Sequence, residues 1–321
     1  MNRKTIVAGI LAIGLSLCGF SQAQDQASLK VATGSASGTY SRMLKEISNT
    51  CGTGVTLVEV PTSGSVENVS KLVGNELNAG FVQTDVLFFR ARNESLDNIK
   101  TLVALHPEEV HIVALSQSKT IVGKNMVGLG GEPLKLDDVS GLEGHAVASW
   151  GGSFVTSQVI RLQSEIRFSV VEVADAKAAK ALLDEGKVEA VIAVGGSPLG
   201  FVNDLGPGYK LLSISDATAT KLKAVYRPAK VTYAKLGRGG SGIQTVATDA
   251  LFVTREYKTA KFTSALGKLR DCIYANLDEM KETTGTHPKW QVVDASNKGK
   301  WQWYDLPSAN VAKVTLPIKK K

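Results

Sequence analysis

Leu29-Lys30-Val31-Ala32-Thr33-Gly34-Ser35-Ala36-Ser37-Gly38-Thr39-Tyr40 is the stretch that decides the fold class. Residues 29–33 form a short apolar run that reads as a strand and stops at Gly34. A loop of small residues follows, and then Tyr40, Met43, Leu44 and Ile47 recur at helical spacing. The same strand–loop–helix unit comes twice more. Residues 55–60 are β-branched and end in Pro61-Thr62-Ser63-Gly64, after which Ser65 opens a helix with Val69, Leu72 and Val73 on one face. Residues 79–83 form a strand that passes at Thr84-Asp85 into a capped helix, and strands at 101–105 and 111–116 follow. Alternation of this kind predicts an α/β protein with a mostly parallel sheet and right-handed crossovers.

A second set begins with a strand at 144–149, the loop Gly151-Gly152-Ser153 and a helix at 154–163. Segments 169–173, 176–185, 188–194 and 210–214 continue it. A strand at 244–253 then precedes a long helix, 256–281, with Phe262, Leu266, Leu269, Ile273 and Leu277 along one face, the pattern of core burial. No internal repeat or low-complexity tract is present. The 321 residues exceed what one hydrophobic core usually serves, so two lobes are expected.

The first residues fix the expected compartment. Arg3 and Lys4 precede an apolar run over 6–20, and Ser21-Gln22-Ala23 puts small residues where a signal peptidase reads, so cleavage is expected after Ala23. The run is shorter than the roughly 20 residues of a membrane span. A lipoprotein signal at Cys18 is the other alternative, but Leu17 is not the small residue that such processing needs. The mature chain is therefore expected to be a soluble periplasmic protein. With 37 Lys and Arg against 30 Asp and Glu the formal charge is +7, and +5 without Arg3 and Lys4. Part of the excess lies in Lys319-Lys320-Lys321, which reads as a solvated end. No basic stripe interleaved with aromatics suggests a nucleic-acid partner. Cys51 and Cys272 remain after cleavage and are expected to pair in an oxidising compartment. The four histidines are scattered and no CxxC occurs, so neither a metal nor another cofactor is expected.

Four segments together resemble one family, the TAXI-type solute receptors of TRAP transporters. They are the stretch 31–40, Thr62-Ser63-Gly64-Ser65-Val66-Glu67-Asn68-Val69, Ala79-Gly80-Phe81-Val82-Gln83-Thr84-Asp85-Val86 and Leu105-His106-Pro107-Glu108-Glu109-Val110-His111. They occur in the family's order and spacing, and the likeness extends to about Ser215. Two segments depart from it. Ser149-Trp150-Gly151-Gly152-Ser153-Phe154-Val155-Thr156 stands where the family has a Gly-Pro-Pro-Gly-Ser-Gly-Thr loop, and Trp290, Trp301, Trp303 and Tyr304 replace a His-Pro-Gly-Ala ending. The resemblance implies a type 2 periplasmic-binding-protein fold, with lobe I from 24–115 and 246–321 and lobe II, 116–245, inserted between. It also implies a small-molecule ligand, an amino acid such as glutamate or glutamine or a small organic acid, passed to a TRAP-type membrane subunit. The chain is expected to act as a monomer.

The residues point to the same place by chemistry. Ligands in open α/β sheets bind at the carboxyl ends of strands, where helix N-termini present unpaired N–H groups to an anion. The candidate ligand contacts are Ser35, Thr39, Tyr40, Thr62, Ser63, Ser65 and Gln83 in the first set, and Trp150, Gly152, Ser153, Thr156 and Ser197 in the second. Several of these, Ser65 above all, have helix capping as an equally good role. None of the loops contains Arg or Lys, so an anion would rest on backbone dipoles and hydroxyls unless Arg42 or a distant Lys folds inward. Catalysis is not expected: Gly151-Gly152-Ser153-Phe154-Val155 is not Gly-x-Ser-x-Gly, and residues 34–38 lack both G-x-G-x-x-G and a P-loop Lys. A stand-alone periplasmic sensor or scavenger would share every one of these features.

Overall fold

The computed structural model describes residues 27–52, 54–123, 130–236 and 242–307; the expected leader over 1–23 and the tail Lys319-Lys320-Lys321 lie outside them. β1 (Ser28–Ala32) buries Leu29 and Val31 and exposes Ser28 and Lys30, as its alternation requires. It leads through Gly34 to α1 (Thr39–Cys51), whose inner face carries Met43, Leu44 and Ile47. Two such units follow, β2 (Thr56–Val60) with α2 (Ser65–Val73) and β3 (Ala79–Gln83) with α3 (Thr84–Arg90). β1 lies parallel between β2 and β3. β4 (Ile99–Leu115) comes next, then a short ribbon of β5 (Ile121–Val122) and β6 (Glu132–Pro133).

The second set consists of β7 (Ala146–Ser149), α4 (Gly151–Ser164), β8 (Ser169–Glu172), α5 (Ala176–Glu185) and β9 (Ala190–Gly195). β7 lies parallel between β8 and β9. α6 (Gly200–Asn203), β10 (Tyr209–Leu211), α7 (Asp216–Leu222) and β11 (Arg227–Val231) lead to β12 (Ile243–Arg255). α8 (Ala260–Ala275) and α9 (Leu277–Glu282) follow it.

The sheet order is β2-β1-β3-β12-β4-β9-β7-β8, with β10 on β4 and β11 on β12. Two parallel arms, β2-β1-β3 and β9-β7-β8, therefore meet at two long strands, each antiparallel to the other and to the arm it adjoins. β4 pairs residues 99–109 with β12 and residues 109–114 with β9. β12 pairs residues 250–254 with β3 and 243–247 with β11. Both strands thus pass from one arm to the other beside Glu109 and Thr248. This is the two-lobed α/β fold expected of a type 2 periplasmic-binding protein.

Local departures from the sequence reading have physical causes. The expected strands at 101–105 and 111–116 are one strand. Pro107 between them lacks an N–H, and it sits beside a register irregularity where β12 steps from Asp249 to Leu251. The helix expected over 256–281 breaks at Asn276, whose φ of −109° and ψ of 12° leave the helical region while its side-chain amide donates to the Cys272 carbonyl at 2.8 Å. β11 was not legible because the exposed Pro228 and Lys230 and the partly exposed Ala229 of Arg227-Pro228-Ala229-Lys230-Val231 mask the strand pattern; Pro is tolerated there as on an edge strand. The C-terminal aromatics are packing residues. Trp290 is wholly buried and donates to Glu46 at 2.6 Å, and Trp301 donates to the Ile99 carbonyl at 2.8 Å. Thr101 exchanges backbone hydrogen bonds with Gln302 and Tyr304, which fastens this segment to the start of β4.

Cys51 at the end of α1 and Cys272 in α8 are joined, with Cα atoms 5.9 Å apart and a sequence separation of 221. They belong to the core shared by Leu44, Ile47, Leu269 and Ile273. Constraining a loop of that length stabilises by about 5 kcal/mol in the chain-entropy model. Replacing both cysteines by Ala should therefore lower the denaturation midpoint substantially, and the unreduced parent should titrate no free thiol when unfolded. Two titratable thiols in that parent would contradict the pairing.

Candidate functional site

Three helices begin at the strand ends of the two arms and face one another. α1, α2 and α4 have Gly38, Gly64 and Trp150 at their N-caps, and none of the three has a side-chain cap. Their first-turn N–H groups and the positive ends of their dipoles are left for something else to satisfy. Between them is a cavity of about 320 Å³, at the small end of pockets for small molecules, roughly 300–1,000 Å³. Gly34 and Gly64 have φ of +121° and +115°, a region open to glycine, and a Cβ on Gly34 would touch Gly64 Cα at 3.6 Å. At both positions it is the backbone conformation, rather than lack of space, that calls for glycine.

Nine of the twelve candidate contacts line this cavity: Ser35, Thr39, Tyr40, Ser63, Ser65, Gln83, Trp150, Gly152 and Ser153. Their hydroxyls are not equivalent. Ser65 Oγ accepts from the Gln83 N–H at 3.1 Å and Ser153 Oγ from the Val194 N–H at 2.9 Å, so each keeps its own proton to donate. The Ser63 hydroxyl instead donates to Glu67 at 2.8 Å, and that bond, with the one from the Ser63 N–H, holds the Glu67 carboxyl below its ordinary value. Trp150 forms a wall, its ring edge-on to Phe201 at 5.5 Å. Gln83 spans the cleft: a Cβ on Gly152 would stand 2.1 Å from its Oε1.

Three candidates lie off the cavity lining. Thr62 braces its own loop, donating to Asn68 Oδ1 at 2.5 Å while accepting from the Gly64 N–H. Ser197 gives its N–H to Glu109 at 2.7 Å, and its neighbour Pro198 lines the cavity instead. Thr156 is wholly buried beneath the floor and donates to Asp85 at 2.5 Å. Tyr226 donates to the same carboxylate oxygen at 2.8 Å. Asp85 belongs to α3 on one arm, Thr156 to α4 on the other, so this carboxylate ties the two together.

Sequence reasoning passed over Glu108, which the motif at 105–111 contains and which lines the cavity from the crossing of β4. Gly195, Gly196 and Leu199 after β9 were also missed, although the Gly-Gly pair at a strand's carboxyl end was a usable signal. The inward cation is Lys289 rather than Arg42. Arg42 pairs with Glu46 and donates to the Gly285 carbonyl at 2.6 Å. Lys289 comes behind Gly196, where it pairs with Glu109 at 3.5 Å.

Fold and cavity together define a two-lobed α/β protein with an interlobe pocket built from helix N-termini. The chain belongs to the NMT1-like family, whose model matches residues 31–300. Among solved structures it is similar to the ligand-binding component of an ABC-type import system from Staphylococcus aureus with zinc bound, at 14% identity over 85% of this chain and 81% of that one, with a TM-score of 0.49. It is also similar to the GluR0 ligand-binding core from Nostoc punctiforme in complex with L-glutamate, at 14% identity over 83% and 96%, TM-score 0.46. A third is the substrate-binding protein of an amino acid ABC transporter, at 10% identity over 80% and 95%, TM-score 0.45. No helix among the described residues is long and apolar enough to cross a membrane.

Burial raises the Asp85 carboxyl from 3.8 to about 6, against the lowering effect of its bonds from Thr156 and Tyr226. A carboxyl whose folded value stands above its unfolded one takes up protons on folding, so its stabilising contribution is full below about 3.8 and is lost as pH rises through about 6. His111 and His287, pushed down to about 4 by burial, act oppositely: their contribution is present above 6.5 and is lost as pH falls towards 4. The difference between Asp85→Asn and parent isolates the carboxyl. Between pH 4 and 7 the variant should gain stability relative to the parent as pH rises, read from paired thermal melts. Parallel curves would mean that Asp85 is solvated.

Proposed function

We propose that this protein is an extracytoplasmic solute receptor that captures a small polar ligand in the cavity between its lobes and delivers it to a TRAP-type membrane transporter. The observation that carries this reading is the convergence of three uncapped helix N-termini, two from one arm and one from the other, on one pocket. An anionic group there receives N–H donors from both arms at once, with the Ser65 and Ser153 hydroxyls facing it from opposite sides. An amino acid such as glutamate or glutamine, or a small organic acid, has the matching size and charge.

In this reading lobe I comprises residues 24–115 and 246–321 and lobe II residues 116–245. The lobes rotate about the crossings of β4 and β12, at Pro107–Glu109 and Thr248–Asp249. The leader over residues 1–23 directs export. Ser153 and His111 do not form a nucleophile–base pair: Ser153 Oγ accepts from the Val194 N–H, and the buried His111 bonds Tyr233 rather than a serine. Binding is its chemistry.

Mass spectrometry of material released by denaturing the purified protein identifies the ligand class, followed by calorimetry with L-glutamate, L-glutamine and succinate. Ligand should reduce the radius of gyration in solution scattering and raise the melting temperature. The double variant Ser65→Ala, Ser153→Ala should weaken binding by about tenfold or more, since each lost hydrogen bond costs about 0.5–1.5 kcal/mol, while the empty protein melts close to the parent. Affinity within twofold of the parent would remove the pocket from the binding role.

A further inference from the structure

Glu108 is the one charged side chain among the described residues that line the pocket. Its side chain is only 8% exposed, and its carboxylate makes no hydrogen bond among the described residues. The buried Tyr40 hydroxyl faces Glu108 and Ser65 yet reaches hydrogen-bond geometry with neither. Nearby cations are engaged elsewhere. Lys289 pairs with Glu109, Arg227 pairs with Asp249 at 2.8 Å, and Lys300 donates to the carbonyls of Lys223 and Tyr226. His106 Nε2 lies 3.5 Å from Glu108 Oε1, but neither ring nitrogen of His106 has a hydrogen-bond partner. A carboxylate removed from water without a counter-charge is costly, and such groups are normally paired.

Resting on the receptor reading above, we infer that Glu108 is the counter-charge for a ligand ammonium, and that the pocket selects α-amino acids over organic acids lacking nitrogen. The pocket then has two poles. The helix N-termini of α1, α2 and α4 take the ligand carboxylate. Glu108, on the strand that crosses between the arms, takes the ammonium, with the Tyr40 hydroxyl beside it to accept an N–H or donate to an oxygen. A dicarboxylate with no cation would bring its charge towards Glu108 and gain nothing there.

The test uses the mature protein and matched probes: the L-amino acids, and for the tightest of them its 2-hydroxy analogue, which exchanges the ammonium for a neutral hydroxyl. The amino acid should bind at least about thirtyfold more tightly than that analogue, the scale of an unpaired buried charge. Glu108→Gln should weaken the amino acid by a similar factor and narrow the gap between the two probes. Equal binding of the pair by the parent overturns the inference without needing any variant to fold, and leaves the receptor reading intact. Tight binding of succinate with none of any amino acid does the same. No heat or melting shift with any probe, and no ligand carried through purification, overturns both readings.

Discussion

β4 and β12 lie side by side and antiparallel over most of their length, and their backbone hydrogen bonds are what join the two parallel arms. Each arm alone is a small βαβ sheet with one edge to cover. β12 covers the edge of β3 and β4 the edge of β9, so the crossing strands satisfy both. The crossing is also where polar residues must enter the interior. Residues 106–109 of β4 are His-Pro-Glu-Glu, and Thr248 and Asp249 stand opposite Glu108 and Pro107. Glu108 and Asp249 are buried and Glu109 is partly so, and two of the three are paired: Asp249 with Arg227, Glu109 with Lys289 and the Ser197 N–H. β4, one of the two strands that join the arms, also supplies Glu108 to the pocket.

The repeated units were legible because each of their features is local. A buried alternating strand, a turn of small residues and an amphipathic helix can be read in one window, and β1–α1, β2–α2 and β3–α3 fall where that reading puts them. The loops that line the pocket were legible for the same reason, since a Gly/Ser loop before a helix exposes its N–H groups whatever it faces. What was illegible depends on residues far apart in the chain. Whether Thr156 reaches a ligand or Asp85 depends on how α4 packs on α3, 71 residues earlier. Glu108 looked like part of a strand motif, and only the crossing of β4 brings it under the pocket. The C-terminal aromatics stood out only as a departure from the family's ending, yet Trp290 fills the core beside α1, 244 residues from its partner Glu46.

The distribution of charge follows from the same geometry. Among the described residues no Lys or Arg lines the pocket, and Arg42, close in sequence to the first loop, is drawn away by Glu46 and Gly285. Helix dipoles supply positive potential without a mobile side chain, so an anion meets donors that need no ordering on binding. A lysine in the same place would have to lose rotamer freedom to make one contact.

Donors from both arms matter more than their number. A ligand shifts an equilibrium between open and closed lobes only by its differential affinity for the two states. Contacts with α1 and α2 alone exist in either state and would bind without closing anything. α4 adds its N-terminus and the Ser153 hydroxyl only when it stands against α2 and α3, where the Asp85 carboxylate already accepts from Thr156. The Asp85 contact is internal to the protein and independent of ligand, and it is made by a carboxylate that burial disfavours. It therefore joins α3 to α4 across the two arms. In the proposed receptor reading the pocket tips the balance between lobe positions, through the residues whose hydrogens remain uncommitted: the first-turn N–H groups, Ser65 and Ser153.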